Sequence, residues 1–269
     1  MMIWLFGILT VLAVLWVLSV GGRVGHPTLK ILRGKVFAHR GLHRKDRPEN
    51  SLPAFAAAAQ KRYGIELDLH LLQDGTLAVF HDNDLSRMTG RNGMIEALTA
   101  VDLPAYTLDG TTETIPAFAD VLALLDNSVP LIVELKSANG NARQLVDAAV
   151  AALADYTAPY VIESFDPRCL WHLRRRYPHI ARGQLSQNFF DSDVSLSPLV
   201  KFLLTHLLTN LLTRPDFIAY RFDHRHTLSV WLARHFWHIQ GATWTLTDKA
   251  QFDKAVDEGY LPIFEQFEP

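Results

Sequence analysis

Several common signals are scarce in this chain. It has one cysteine, Cys169, among 269 residues, so no intrachain disulfide exists and no oxidising compartment is required. Neither sign of charge dominates: 26 Lys and Arg stand against 28 Asp and Glu, a net of −2. A nucleic-acid binder would usually be basic, so that class is set aside. No internal repeat or low-complexity segment stands out. What remains is long enough for one large α/β domain with a substantial core.

Long apolar runs are confined to the N-terminus. Met2 to Val20 is apolar apart from Gly7, Thr10 and Ser19. At about 1.5 Å per residue this gives roughly 28 Å of helix, enough to cross a hydrocarbon core of about 30 Å. A cleaved signal peptide would carry a basic segment before a shorter run, and no Lys or Arg precedes this one. The expectation is an uncleaved single-pass anchor over 1–22 and a Gly-containing linker over 23–35. Basic residues follow the run, at Arg23, Lys30, Arg33 and Lys35, which puts the remaining chain on the cytoplasmic side of a cell membrane.

From Val36 onward, apolar strand-like runs alternate with helical patterns. Strands are expected at 36–40, 64–71, 131–135, 159–165, 181–185, 216–220, 242–246 and 261–264. Leu77 to His81 reads as an added strand, hairpinned through Gln73-Asp74-Gly75. Helical spacing marks 51–62, 116–125, 142–154, 167–176, 228–240 and 248–258, with Asn50 or Ser51 as the cap of the first. Eight short-linked β–α units over 36–269 fit a (β/α)8 TIM barrel better than an open sheet. Two stretches break the rhythm. Residues 83–115 form a long rim connection, and Ser192 to Leu212 presents a broad apolar helix face, either barrel packing or a lipid-gripping element.

Polar residues collect where strands should end. His39-Arg40-Gly41 closes Val36-Phe37-Ala38, His81-Asp82 closes Leu77 to Phe80, and Glu134-Leu135-Lys136 closes Leu131-Ile132-Val133. Glu66 and Asp68 lie two apart on one strand and therefore share a face. Buried charge is costly unless paired or metal-bound, and in a parallel barrel all such endings converge on one rim. Glu66, Asp68 and Glu134 supply hard oxygen donors, suited to Mg²⁺ or Ca²⁺ rather than Zn²⁺. His39 and His81 offer groups that exchange protons near neutral pH. Arg40 brings a planar fork of donors and Lys136 a point charge. Two cations, a divalent metal and two histidines suit a phosphate ester better than a peptide or a sugar.

These segments, with Pro48-Glu49-Asn50-Ser51, Glu163-Ser164-Phe165-Asp166 and Trp244-Thr245-Leu246-Thr247, resemble the glycerophosphodiester phosphodiesterase family from residue 36 to about 265. The resemblance implies a (β/α)8 barrel and metal-dependent hydrolysis of glycerophosphodiesters to glycerol 3-phosphate and an alcohol. Carried over, His39 and His81 match the acid/base pair, Glu66, Asp68 and Glu134 the metal ligands, and Arg40 and Lys136 the phosphate contacts. Glu49 and Asn50 fall in a motif beside the metal, and Trp244 matches a pocket aromatic. The chain departs from the pattern at its last strand, where many members carry an Asp and this sequence offers Glu265. Which histidine acts as base stays open, with His39 favoured, as does the nucleophile, water or the neighbouring glycerol hydroxyl. Two enzyme rivals are a lysophospholipase D acting on membrane lysophospholipids and a phospholipase C-like phosphodiesterase. A third, non-enzymatic rival is a tethered binding protein on a retired barrel. No protein partner is expected.

Overall fold

The structure is a computed structural model that describes residues 2–269. Its strands are β1 (Phe37–His39), β2 (Gly64–Leu71), β3 (Leu77–Val79), β4 (Leu131–Leu135), β5 (Tyr160–Ser164), β6 (Arg182–Ser186), β7 (Phe217–Arg221), β8 (Gln240–Leu246) and β9 (Leu261–Phe264). All except β3 are parallel, and β1 pairs with both β2 and β9, so eight strands close into a barrel. The eight expected barrel strands all appear, displaced by two residues at most. β3 folds back antiparallel on β2, Leu69 opposite Val79.

Alternation along each strand divides apolar from polar. On β2, Ile65, Leu67 and Leu69 face outward and pack with Phe55, Val121 and Leu145 of the surrounding helices. Glu66, Asp68 and His70 therefore face the barrel interior. The lower interior is apolar, filled by Phe37, Ile132, Val161, Phe217, Leu261 and Ile263. Leu29 and Leu32 join that cluster, because the expected linker folds in part as a helix, Pro27–Leu32, that plugs the barrel's N-terminal end.

Two interior positions admit only glycine. A Cβ on Gly64 would stand 2.5 Å from the Phe37 ring, and one on Gly183 would stand 2.1 Å from the tip of Phe217. Gly183→Ala is therefore expected to destabilise the barrel by about 1–3 kcal/mol, as overpacking typically does, read as a lowered urea midpoint. An unchanged midpoint would show that Phe217 yields freely.

Helix Met2–Ser19 is apolar but for Thr10 and Ser19, whose hydroxyls bond back to helix carbonyls, and is long enough to cross a membrane. Its last turn is docked on the barrel flank. The Trp16 indole donates to Ser229 Oγ at 3.1 Å, the Trp237 indole donates to the Val17 carbonyl at 2.7 Å, and Asn210 donates to the Val20 carbonyl at 3.2 Å. Val20 is buried among Leu207, Ile218, Tyr220 and Ile239. Arg23 below it grips Asp216 at 2.5 and 2.8 Å.

The apolar stretch 192–212 departs from expectation. It is not one helix but two, Pro198–Thr205 and Asn210–Thr213, broken at Leu207, which turns left-handed (φ +57°) and inserts into the cluster under Val20. Leu207 is fully buried there, and that burial offsets the cost of the left-handed turn. Residues 83–115 are also more ordered than a bare connection. Met88, Ile95, Leu103, Leu108 and Ile115 build a small core with Phe80 and Leu85. The helix expected over 228–240 runs as Leu228–Trp231 and then a π-turn, Leu232–Phe236.

Candidate active site

Register builds the site. His39 lies beside Glu66, Asp68 beside Glu134, and Glu134 beside Glu163 across three successive strand pairs. Oxygens of Glu66, Asp68 and Glu134 lie within 4.8 Å of one another, all three residues being buried. Lys136 Nζ stands 2.6 Å from Glu134 Oε1 and 3.0 Å from Asp68 Oδ1, and Arg40 Nε lies 3.5 Å from Asp68 Oδ2. Arg40 adopts a left-handed backbone (φ +54°) that aims its N–H at Glu66 Oε2, 3.1 Å away. A non-glycine residue held there costs of order 1 kcal/mol and persists only where its surroundings fix it. Asn50 turns the same way and donates to Asp68 Oδ2 at 2.8 Å. The helix cap is Ser51, not Asn50.

Each candidate proton-transfer histidine is backed by a carboxylate. His39 Nδ1 is 2.7 Å from Glu265 Oε2, and His81 Nδ1 is 2.6 Å from Asp82 Oδ1. A carboxylate only accepts, so the proton sits on Nδ1 and leaves Nε2 with its lone pair. His39 Nε2 lies 3.9 Å from Glu66 Oε2. Burial, then the Arg40 charge, lowers the His39 pKa to about 4, against the opposing pull of Glu265. His81 is lowered as well, by burial and then by Lys136. Burial works against the ionised form of Glu265, yet its contacts with His39 and His43 hold it well below the usual carboxylate range.

The carboxylates carry excess negative charge. Glu66 is pushed well up by burial and then by Asp68 and Glu134, while burial raises Glu134 to about 7. Asp68 is held well down despite its burial, chiefly by Lys136, His81 and Arg40. Buried Asn50 Oδ1 receives no hydrogen bond, and Asp68 Oδ1 and Glu134 Oε1 are met only by the shared Lys136 ammonium, at 3.0 and 2.6 Å. Buried acceptors left in this state call for a ligand or water, and an all-oxygen donor set with surplus charge fits a hard divalent cation.

Other expected residues fall around this centre. Glu49 is not in the carboxylate triad. It accepts from Arg40 at 2.8 Å and from Arg87 at 2.6 Å. Trp244 lies half-buried, edge-on to Phe165 at 5.6 Å. Sequence reading assigned no role to four residues that the structure draws in. Glu163 is buried beneath Glu134 and pushed well above the carboxylate range by burial and then by Glu134. Asp82 orients His81 and is itself held by Arg87 at 2.5 Å. His43 shares Glu265 with His39, at 3.4 Å. The adjoining His81-Asp82 pair was a readable signal, whereas Arg87 had none.

The protein is thus a closed (β/α)8 barrel with a carboxylate triad, paired cations and two carboxylate-backed histidines at one rim. The profile of the Glycerophosphoryl diester phosphodiesterase family matches residues 39–264, and the chain belongs to that family. A glycerophosphodiester phosphodiesterase from Bacillus altitudinis is 37% identical over 112 residues, 38% of this chain and 45% of that protein. One from Caldanaerobacter subterraneus is 30% identical over 164 residues, 56% of this chain and 66% of that protein. The matches thus span between about half and two thirds of those relatives' length. In fold, the chain is similar to a phosphodiesterase from Oleispira antarctica solved in complex with the product sn-glycerol-3-phosphate, with TM-score 0.72 and 23% identity over 90% of this chain and 95% of that one.

Proposed function

We propose that the protein hydrolyses glycerophosphodiesters to glycerol 3-phosphate and an alcohol. One observation carries this reading: three buried carboxylates with oxygens within 4.8 Å, flanked by two histidines each backed by its own carboxylate. Glu66, Asp68 and Glu134 would hold the divalent cation, Mg²⁺ or Ca²⁺. When bound, such an ion neutralises charge developing on the phosphoryl oxygens. Arg40 and Lys136 add donors for the phosphate, and Asn50 and Glu49 hold Asp68 and Arg40 in place. His39, kept neutral by burial and the Arg40 charge and oriented by Glu265, removes the proton from the nucleophile. His81, oriented by Asp82 and acting in the form that also carries a proton on Nε2, gives that proton to the leaving oxygen. Trp244 and Phe165, in edge-on contact, border the substrate pocket. The same nucleophilic step serves water directly, or the adjoining glycerol hydroxyl through a cyclic phosphate that water then opens.

Residues 1–22 serve in this reading as a membrane anchor, 23–35 as the connection, and 36–269 as the catalytic unit on the cytoplasmic side. The basic residues after the helix support that orientation. Choline release from glycerophosphocholine tests the activity. It is expected with Mg²⁺ or Ca²⁺ and should fall by about a hundredfold or more in EDTA, since a metal contributes several kcal/mol to such reactions. Equal release with and without chelator would refute the metal assignment.

A further inference from the structure

An apolar groove of about 760 Å³ opens directly from Glu134, Lys136 and Phe165. Its far wall is Phe189, Val194, Leu196, Val200, Leu203 and Leu204. Glycerol, choline and phosphate have nothing to bury against such a wall. The groove also sits on a particular side of the barrel. The chain beside β7 climbs from Arg23, bonded to the Pro215 carbonyl below that strand, through Val20 against Ile218, to Trp16 beside Ser229 just past the strand's upper end. Helix Met2–Ser19 therefore leaves the barrel at the catalytic rim, and Trp16 touches Phe202 on the helix that walls the groove, ring centres 5.5 Å apart. Around that exit Leu199 and Leu228 are each 66% exposed and Trp231 is 55% exposed. Large apolar side chains clustered where an apolar helix departs suit the acyl boundary of a bilayer.

We infer that the groove is a hydrocarbon-chain subsite, through which a single-chain lipid phosphodiester from the bilayer places its phosphate at the carboxylate triad. The inference rests on the diesterase reading above and names its substrate class. With a lysophosphatidylcholine, water's oxygen bonds to phosphorus, the bond from phosphorus to the choline oxygen breaks, and the proton released by water ends on that oxygen. The products are lysophosphatidate and choline. Burying a methylene is worth up to about fourfold in binding, so seating even four carbons raises kcat/KM by about tenfold or more.

The test uses the full chain in phospholipid nanodiscs, because detergent would fill the groove. Choline release from glycerophosphocholine and from lauroyl-lysophosphatidylcholine is compared for wild type, Leu203→Trp, which blocks the groove, and Leu196→Ser, which makes its wall polar. Partition of the lysolipid into the disc is common to all three proteins. The expected result is a lysolipid-to-glycerophosphocholine ratio of kcat/KM that falls at least tenfold in Leu203→Trp and several-fold in Leu196→Ser. The same ratio in all three proteins overturns the subsite. Should Leu203→Trp fail to fold, Leu196→Ser decides alone. If wild type cleaves neither substrate, the diesterase reading fails instead, and calorimetric binding of dodecylphosphocholine then judges the groove. Tenfold weaker binding in the variant upholds the subsite, and equal binding removes it.

Discussion

His39→Ala is expected to lower kcat by about 10²–10⁴-fold with little change in KM, the range a positioned acid–base group contributes. The expectation follows from how the ring is held. Glu265 fixes Nδ1 at 2.7 Å and leaves Nε2 as the free base beside Glu66. Burial and Arg40 lower its pKa to about 4, so it is unprotonated at neutral pH. Glu265→Gln keeps the side chain's shape and can still hydrogen-bond the ring, but it offers a donor as readily as an acceptor and no charge. It should cost about ten- to a hundredfold, less than removing the ring, because it releases the tautomer without deleting the base. The two variants together separate base from orienting group. Near-normal turnover in His39→Ala, measured by single-turnover release of choline, would remove His39 from the reaction.

The second large effect concerns stability. Adding Mg²⁺ or Ca²⁺ to the chelated protein should raise its melting temperature by about 5–10 °C. At a hundred times the dissociation constant, binding contributes about 2.7 kcal/mol, and a chain of this size shifts about 2–4 °C per kcal/mol. The gain should be larger at pH 8 than at pH 5. Burial raises Glu134 to about 7 in the folded state, above the ordinary carboxylate value of about 4.5 in the unfolded chain. Between those values the folded state binds more protons, so the metal-free protein loses stability as pH rises through the window. Glu66 and Glu163, also raised, act with the same sign. Glu265 and Asp82 act oppositely. Their folded values are depressed, so their contribution is present above about pH 4.5 and is lost as pH falls through the folded values. A metal gain that is equal at both pH values would mean the triad is not where the ion binds.

The barrel was legible because alternation and strand-ending polar residues are local. Glu66 and Asp68 share a face by spacing alone, and β-strand register then places Glu134 beside Asp68. What was hidden depends on closure. Glu265 meets His39 across 226 positions of sequence, and only the pairing of β1 with β9 brings them together. Glu163 stood in an apolar run and read as part of a motif without a task. Arg87 lies in the long rim connection, where no periodicity points to Glu49 and Asp82. The break at Leu207 was unreadable for another reason: leucine has no intrinsic preference for the left-handed region, and only its burial in the apolar cluster with Val20 accounts for it. Asn50 looked equally fit to cap a helix or to serve the site until Ser51 took the cap.

The docked last turn of the N-terminal helix has a consequence for how the protein finds its substrate. A barrel on a loose tether tumbles and meets solutes from every direction. Here Trp16, Trp237, Asn210 and Arg23 clamp the barrel at both ends of one short segment, which leaves it no freedom to roll about the helix axis. With the helix set in a lipid sheet, the mouth of the barrel keeps one compass bearing toward that sheet. For a lipid substrate of the class inferred above, encounter would then be a search by lateral diffusion in two dimensions, and turnover would follow its surface density rather than its bulk concentration.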